Sequence, residues 1–126
     1  MIDHTGIGVA DVARSAVFYD AALGALGWRR VVQLPDSDGS DAIGYGVEYP
    51  VFWIDRFHPP GVKQHTAFGA RSRAAVDAFY AAALGARGAD NGPPGLREQQ
   101  GYPPGYYAAF VLDPDGNNME AVCREP

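Results

Sequence analysis

Three side chains have the types and settings that chemistry would need: His4, His65 and Glu120. Residues 4–8 read HTGIG and residues 65–69 read HTAFG. Side chains alternate between the faces of a strand. Each His therefore shares its face with small residues, Gly6 and Gly8 in one segment, Ala67 and Gly69 in the other. Thr5, Ile7, Thr66 and Phe68 fall on the opposite face, toward the helices. Glu120 follows the same logic in NMEAVCR. Met119, Ala121 and Cys123 make an apolar stripe for the helix side, which leaves Glu120 and Val122 on the face of the histidines. A carboxylate on an inner face is costly unless it is paired or binds a metal. Two histidines and one carboxylate can hold a divalent cation and keep positions open for water or substrate. Fe, Mn, Ni and Zn all stay open.

The elements that would position these residues come as a repeat. Shifting the chain by 61 residues places His4 on His65, Thr5 on Thr66 and Gly8 on Gly69. It also places FY at 18–19 on FY at 79–80, and AALGA at 21–25 on AALGA at 82–86. A fixed offset that aligns His, Thr, Phe and Tyr together marks a duplicated module, with the break near HPPGVKQ at 58–64. After each strand a helix is expected, capped by Asp11 or Ser72. Ser15, Phe18, Tyr19, Ala22 and Leu23 share one helical face, and Val76, Phe79, Tyr80, Ala83 and Leu84 repeat it. Gly24 with Gly27, and Gly85 with Gly88, supply the stops. Strands follow near WRRVVQL, AIGYGVEY and VFWIDRF, with a polar loop PDSDGSD between the first two. In the second copy, a faint strand near 87–91 precedes a Gly/Pro-rich stretch, then YYAAFVLD, the turn DPDGN and NMEAVCR. Each module is thus strand, helix, then three strands.

Composition bounds the remaining classes. With 47% apolar residues and 12% aromatic, the chain can bury a core. The net charge is −5 and no Lys/Arg block occurs, so nucleic acid is not expected as a partner. No apolar run approaches the roughly 20 residues a membrane span needs. MIDHTGIGV lacks the pattern of a signal peptide, and Cys123 stands alone, so a cytoplasmic location is expected.

The opening IDHTGIGVADVARSAVFYDAALGALGW and the closing YYAAFVLDPDGNNMEAV resemble the vicinal oxygen chelate superfamily, the glyoxalase/bleomycin-resistance/dioxygenase group. The resemblance covers essentially the whole chain. It implies an α+β fold of one domain over 1–126, with modules of about 1–58 and 64–126. Two βαβββ modules would curl their mixed sheets into an incomplete barrel around a metal cavity. Carried over, His4, His65 and Glu120 match three metal-ligand positions. Aligning VFWID with NMEAV puts Trp53 at the fourth, where metal-dependent glyoxalase I enzymes carry an acidic residue. The His-His-Glu set looks more like the extradiol dioxygenases and the fosfomycin-modifying thiol transferases.

The resemblance also names candidates for substrate contact. Trp53 would line the cavity, as a substrate wall or as core packing, and Tyr45 would join it from a neighbouring strand. GLREQQGYPPGYY would border the cavity with Arg97, Tyr102 and Tyr106. Arg97 is either a clamp for a carboxylate or enolate-like oxygen, or a solvated loop residue. Tyr106 is a candidate acid, base or oxyanion donor. Tyr107 must face the other way. His58 reads as a surface residue of the linker, DPDG as a turn without calcium-loop spacing, and Cys123 as buried on the helix side. The expected protein is a homodimeric metalloenzyme acting on a small molecule, by lyase, isomerase or ring-cleaving chemistry. The alternatives are a thiol transferase and a metal-free protein that sequesters a drug or other ligand.

Overall fold

The computed structural model describes residues 1–35, 41–61 and 63–125. The strands are β1 (Thr5–Gly8), β2 (Arg29–Leu34), β3 (Ala42–Gly46), β4 (Pro50–Asp55), β5 (His65–Gly69), β6 (Ala89–Asp90), β7 (Gly95–Leu96), β8 (Tyr107–Leu112) and β9 (Asn118–Cys123). Helices α1 (Val12–Gly24) and α2 (Arg73–Gly85) follow β1 and β5, and a 3₁₀ turn spans Glu98–Gln100. The first sheet has the order β1-β4-β3-β2 and the second β5-β9-β8-β6, with β7 on β8. In both, the strand before the helix pairs in parallel with the last strand of its own module. The other pairings are antiparallel. This is an α+β fold with two mixed, curled and unclosed sheets, as the family resemblance implies.

The helices form where the sequence supplies caps and an apolar face. Asp11 accepts from the backbone N–H of Arg14 at 3.0 Å, and Ser72 from that of Ala75 at 3.1 Å. Ser15, Phe18, Tyr19, Ala22 and Leu23 of α1 are all buried. The matching face of α2 is only partly covered: Val76, Phe79 and Ala83 are buried, but Leu84 is 37% exposed. The second helix stop also differs from expectation. Gly27 adopts the left-handed conformation after α1, whereas Arg87, not Gly88, does so after α2. Gly88 is needed for space instead, because a Cβ there would lie 2.6 Å from the Phe18 ring and from the Ala83 carbonyl oxygen.

Both sheets turn one face to a shared core. The Phe52 ring of β4 meets Phe68 of β5 edge-to-face at 5.2 Å, and Trp28 meets Phe68 at 5.5 Å. Such aromatic pairs tie one module to the other. The turn at 113–117 adds a polar clasp. Buried Asp113 accepts from the Tyr19 hydroxyl at 2.6 Å and from the backbone N–H groups of Asp115 and Asn117. The turn's other buried residue, Asn117, accepts from the N–H of Gln64 at 3.1 Å. No helix among the described residues is long and apolar enough to cross a membrane. In the loop at 35–41, residues 36–40 lie outside the described residues, as does Val62 in the linker.

Candidate metal centre and its cavity

The register carries the repeat into the site. Gly6 faces Trp53 across β1 and β4, and Ala67 faces Glu120 across β5 and β9. Trp53 and Glu120 therefore occupy equivalent places, each on the sheet face away from the core.

On the second sheet, His65 and Glu120 come together. His65 Nε2 lies 3.2 Å from Glu120 Oε1. His65 Nδ1 lies 3.1 Å from the backbone carbonyl of Asn118 and donates to it, which leaves Nε2 as the ring's lone-pair nitrogen. Two acceptor atoms thus face each other at hydrogen-bond distance. A proton or a cation between them relieves that opposition, so the pair fits a metal. Glu120 is 2% exposed. Its second oxygen, Oε2, accepts from the Tyr106 hydroxyl at 2.5 Å. Burial first, and then the bond to Glu120, push the Tyr106 hydroxyl up to about 12. It is therefore a held donor that orients Glu120 near neutral pH, and a poor match to the role of proton acceptor.

Around this pair the structure sorts the other candidates. Tyr102 stacks on Tyr106, with ring centroids 4.6 Å apart. The Arg124 guanidinium covers the Tyr106 ring at 5.0 Å, a contact no pattern in the sequence signals. Tyr107 turns to the helix side, where its hydroxyl donates to Asp77 at 2.6 Å. Arg97 sits over the Phe110 ring at 5.2 Å and donates to the carbonyls of Pro93 and Ala108. Its Nη2 thus holds the 93–97 segment against β8, so that nitrogen is engaged by the chain's own carbonyls rather than turned to the cavity at His4.

On the first sheet, His4 is exposed, and its Nδ1 lies 2.7 Å from Asp3 Oδ1. His4 borders a cavity of about 630 Å³ with Thr5, Gly6, Leu34, Trp53, Asp55 and His58 among its walls. The Trp53 indole can pass close over Gly44 of β3 because that residue has no side chain: a Cβ there would stand 3.0 Å from the ring. Tyr45 does not share this cavity. Its register with Phe52 puts it on the core face, where its hydroxyl donates to Asp20 of α1 at 2.9 Å. Burial raises that hydroxyl far above its ordinary range, and Asp20 raises it further. The expected substrate contact is thus a core residue.

Among the described residues, the cavity is lined by residues between 3 and 58, and none of the second sheet is in its lining. Among the described residues, no three His, Cys, Asp or Glu side chains of one chain come close enough to hold a metal. His4 is separate from the His65–Glu120 pair.

Paired βαβββ modules with outward-facing polar groups on curled sheets define the class of fold. The family model of the Glyoxalase/Bleomycin resistance protein/Dioxygenase superfamily matches residues 1–121, and the chain belongs to this family. A glyoxalase/bleomycin resistance protein from Albidiferax ferrireducens T118 is 32% identical, with a TM-score of 0.77 and 98% of each chain covered. Two further solved structures share the fold. Lactoylglutathione lyase from Agrobacterium tumefaciens is 18% identical with a TM-score of 0.69, covering 98% of this chain and 92% of its own. TioX from Micromonospora sp. ML1 is 14% identical with a TM-score of 0.72, covering 99% of both chains. No curated protein matches.

Proposed function

We propose that the protein is a divalent-metal enzyme whose site is completed by a second copy of the chain. His65 and Glu120 of one subunit and His4 of the other would hold the ion. The observation that carries this reading is the His65 Nε2 to Glu120 Oε1 approach of 3.2 Å, with each outer atom already fixed by the protein. His4 supports it. Its Nδ1 is engaged by Asp3, so its Nε2 is free to ligate. When bound, the ion would supply Lewis-acid stabilisation of charge on two adjacent oxygens of a small substrate. The chain's own residues would do the rest. Tyr106 fixes the Glu120 carboxylate, Trp53 offers a flat wall, and the cavity excludes water from the ligand's apolar part.

Pairing of two copies also accounts for the cavity rim. Leu34, Tyr49 and Phe57 are large apolar residues, all exposed, and all border the cavity at His4. Contiguous apolar surface of this kind marks an interaction site. A second copy laid over it would bury the rim and bring the second sheet toward His4.

The open cavity within one chain favours a second reading, a protein that binds an aromatic ligand on Trp53 without a metal. One experiment separates them. Bound metal is measured by mass spectrometry on the untagged protein and on Glu120→Ala. About one Fe, Mn, Ni or Zn per site, lost in the variant, is expected. Absence of metal after anaerobic reconstitution with Fe(II) and Mn(II) would overturn the enzyme reading and leave the ligand binder.

A further inference from the structure

A second His–Asp pair, Asp55 at the end of β4 and His58 in the linker, faces the same cavity. Asp55 ends β4 and is buried. Its Oδ1 accepts from the backbone N–H groups of Phe57 at 3.0 Å and His58 at 2.9 Å, which folds the chain back over Gly8. Gly8 permits this close passage. A Cβ at that position would lie 2.2 Å from the His58 carbonyl oxygen. The same carboxylate holds His58 Nδ1, with oxygens at 3.0 and 2.8 Å. The Nδ1–H is thereby fixed, and Nε2 becomes the free acceptor edge of a side chain that is 74% exposed and lines the cavity. His4 is held differently, by Asp3 on the exposed N-terminal segment, so its ring lacks a buried anchor.

We propose that His58, positioned by Asp55, is the proton-accepting base of this cavity, acting on a flat, uncharged carbon or oxygen acid laid against Trp53. This rests on reading the cavity as a reaction site. Geometry meets what a general base needs: a fixed tautomer, an open acceptor nitrogen and a surface that orients the acid beside it. Charge sets the ligand class. Asp3 and Asp55 line the cavity, and among the described residues neither Lys nor Arg does. An anionic substrate would meet like charge there, whereas a neutral one would not.

A nitrobenzisoxazole tests this directly. It is flat, uncharged and carries one acidic C–H. When a base takes that proton, the C–H electron pair becomes the third bond of a nitrile, the N–O bond breaks, and a coloured phenolate leaves. The reaction needs no metal, so running it with and without EDTA separates failure here from failure of the metal reading. Saturable turnover is expected under both conditions. Both His58→Gln and Asp55→Asn should lower kcat at least roughly tenfold, with KM within about twofold, whereas Trp53→Leu should raise KM. Gln is tolerated at an exposed position, and Asn keeps the Oδ1 acceptor for the two backbone N–H groups, so both variants should fold; circular dichroism checks this. Unsaturable turnover, His58→Gln as fast as wild type, or a loss confined to His4→Gln would each overturn the proposal.

Discussion

Tyr106 donates its hydroxyl proton to Glu120 across the face of the second sheet, at 2.5 Å. That bond leaves Oε1 as the oxygen facing His65. A carboxylate held on one side presents the other in a single orientation, and loss of such a support typically weakens metal binding by about 10- to 100-fold. Tyr106→Phe should therefore bind the metal that much more weakly while keeping its stoichiometry at saturation. Titration of the metal-free protein, read by calorimetry, checks this. Unchanged affinity would mean that Tyr106 packs under Glu120 without orienting it.

The buried Tyr19–Asp113 bond should make the fold sensitive to alkali. Burial, and next the Asp113 charge, raise the Tyr19 hydroxyl well above its ordinary value. A group whose pKa is raised on folding stabilises the fold fully below its unfolded pKa, about 10 for tyrosine, and loses that contribution as pH climbs beyond it. Stability should thus fall in alkali above about pH 10. Tyr19→Phe removes the buried donor to Asp113 and should cost about 1–3 kcal/mol at neutral pH. Its own stability should decline less between neutral and alkaline pH than that of the wild type. Urea unfolding of both proteins across that range reads out the difference.

The apolar rim at His4 should couple association to metal binding. Phe57 and Tyr49 are exposed there. A charge at a surface that a second copy covers costs affinity because it must be desolvated without a partner. Phe57→Asp should shift the protein toward monomer in sedimentation and, in the same preparation, lower its metal content. Full metal retention by a monomeric variant would show that one chain suffices to hold the ion.

Much of this arrangement was legible in the sequence because duplication writes geometry twice. The 61-residue offset placed both strands and both helix caps, and aligning VFWID with NMEAV under the family resemblance gave the equivalence of Trp53 with Glu120. Alternation alone put His65 and Glu120 on one face and Cys123 on the other. Tyr45 went wrong although its signal was present. In AIGYG, Ile43 and Tyr45 alternate with Ala42, Gly44 and Gly46, so Tyr45 belongs with Ile43 on the core face. Other features had no local signature. Arg97 Nη2 is engaged by two carbonyls that only the folded 93–108 segment brings near. The Asp55–His58 pair depends on the chain turning back over Gly8, a tertiary event that no period in the sequence encodes.

That turn makes Gly8 the position to probe last. A Cβ at residue 8 would meet two backbone oxygens, those of His58 at 2.2 Å and Pro59 at 2.4 Å. Backbone cannot step aside as a flexible side-chain end can, so Gly8→Ala must push the 58–60 segment off the sheet. The parallel bridge from Gly8 to Pro60 and the hydrogen bond from the Gly61 N–H to the Gly8 carbonyl, 3.2 Å, should be lost with it. Overpacking of this kind costs about 1–3 kcal/mol. The helices and the second sheet lie away from the strain, so hydrogen exchange should quicken at 57–61 and stay unchanged in β8 and β9. A variant with wild-type stability and unchanged exchange at 57–61 would show that the linker does not press on β1, and the fixed placement of His58 would fall with it.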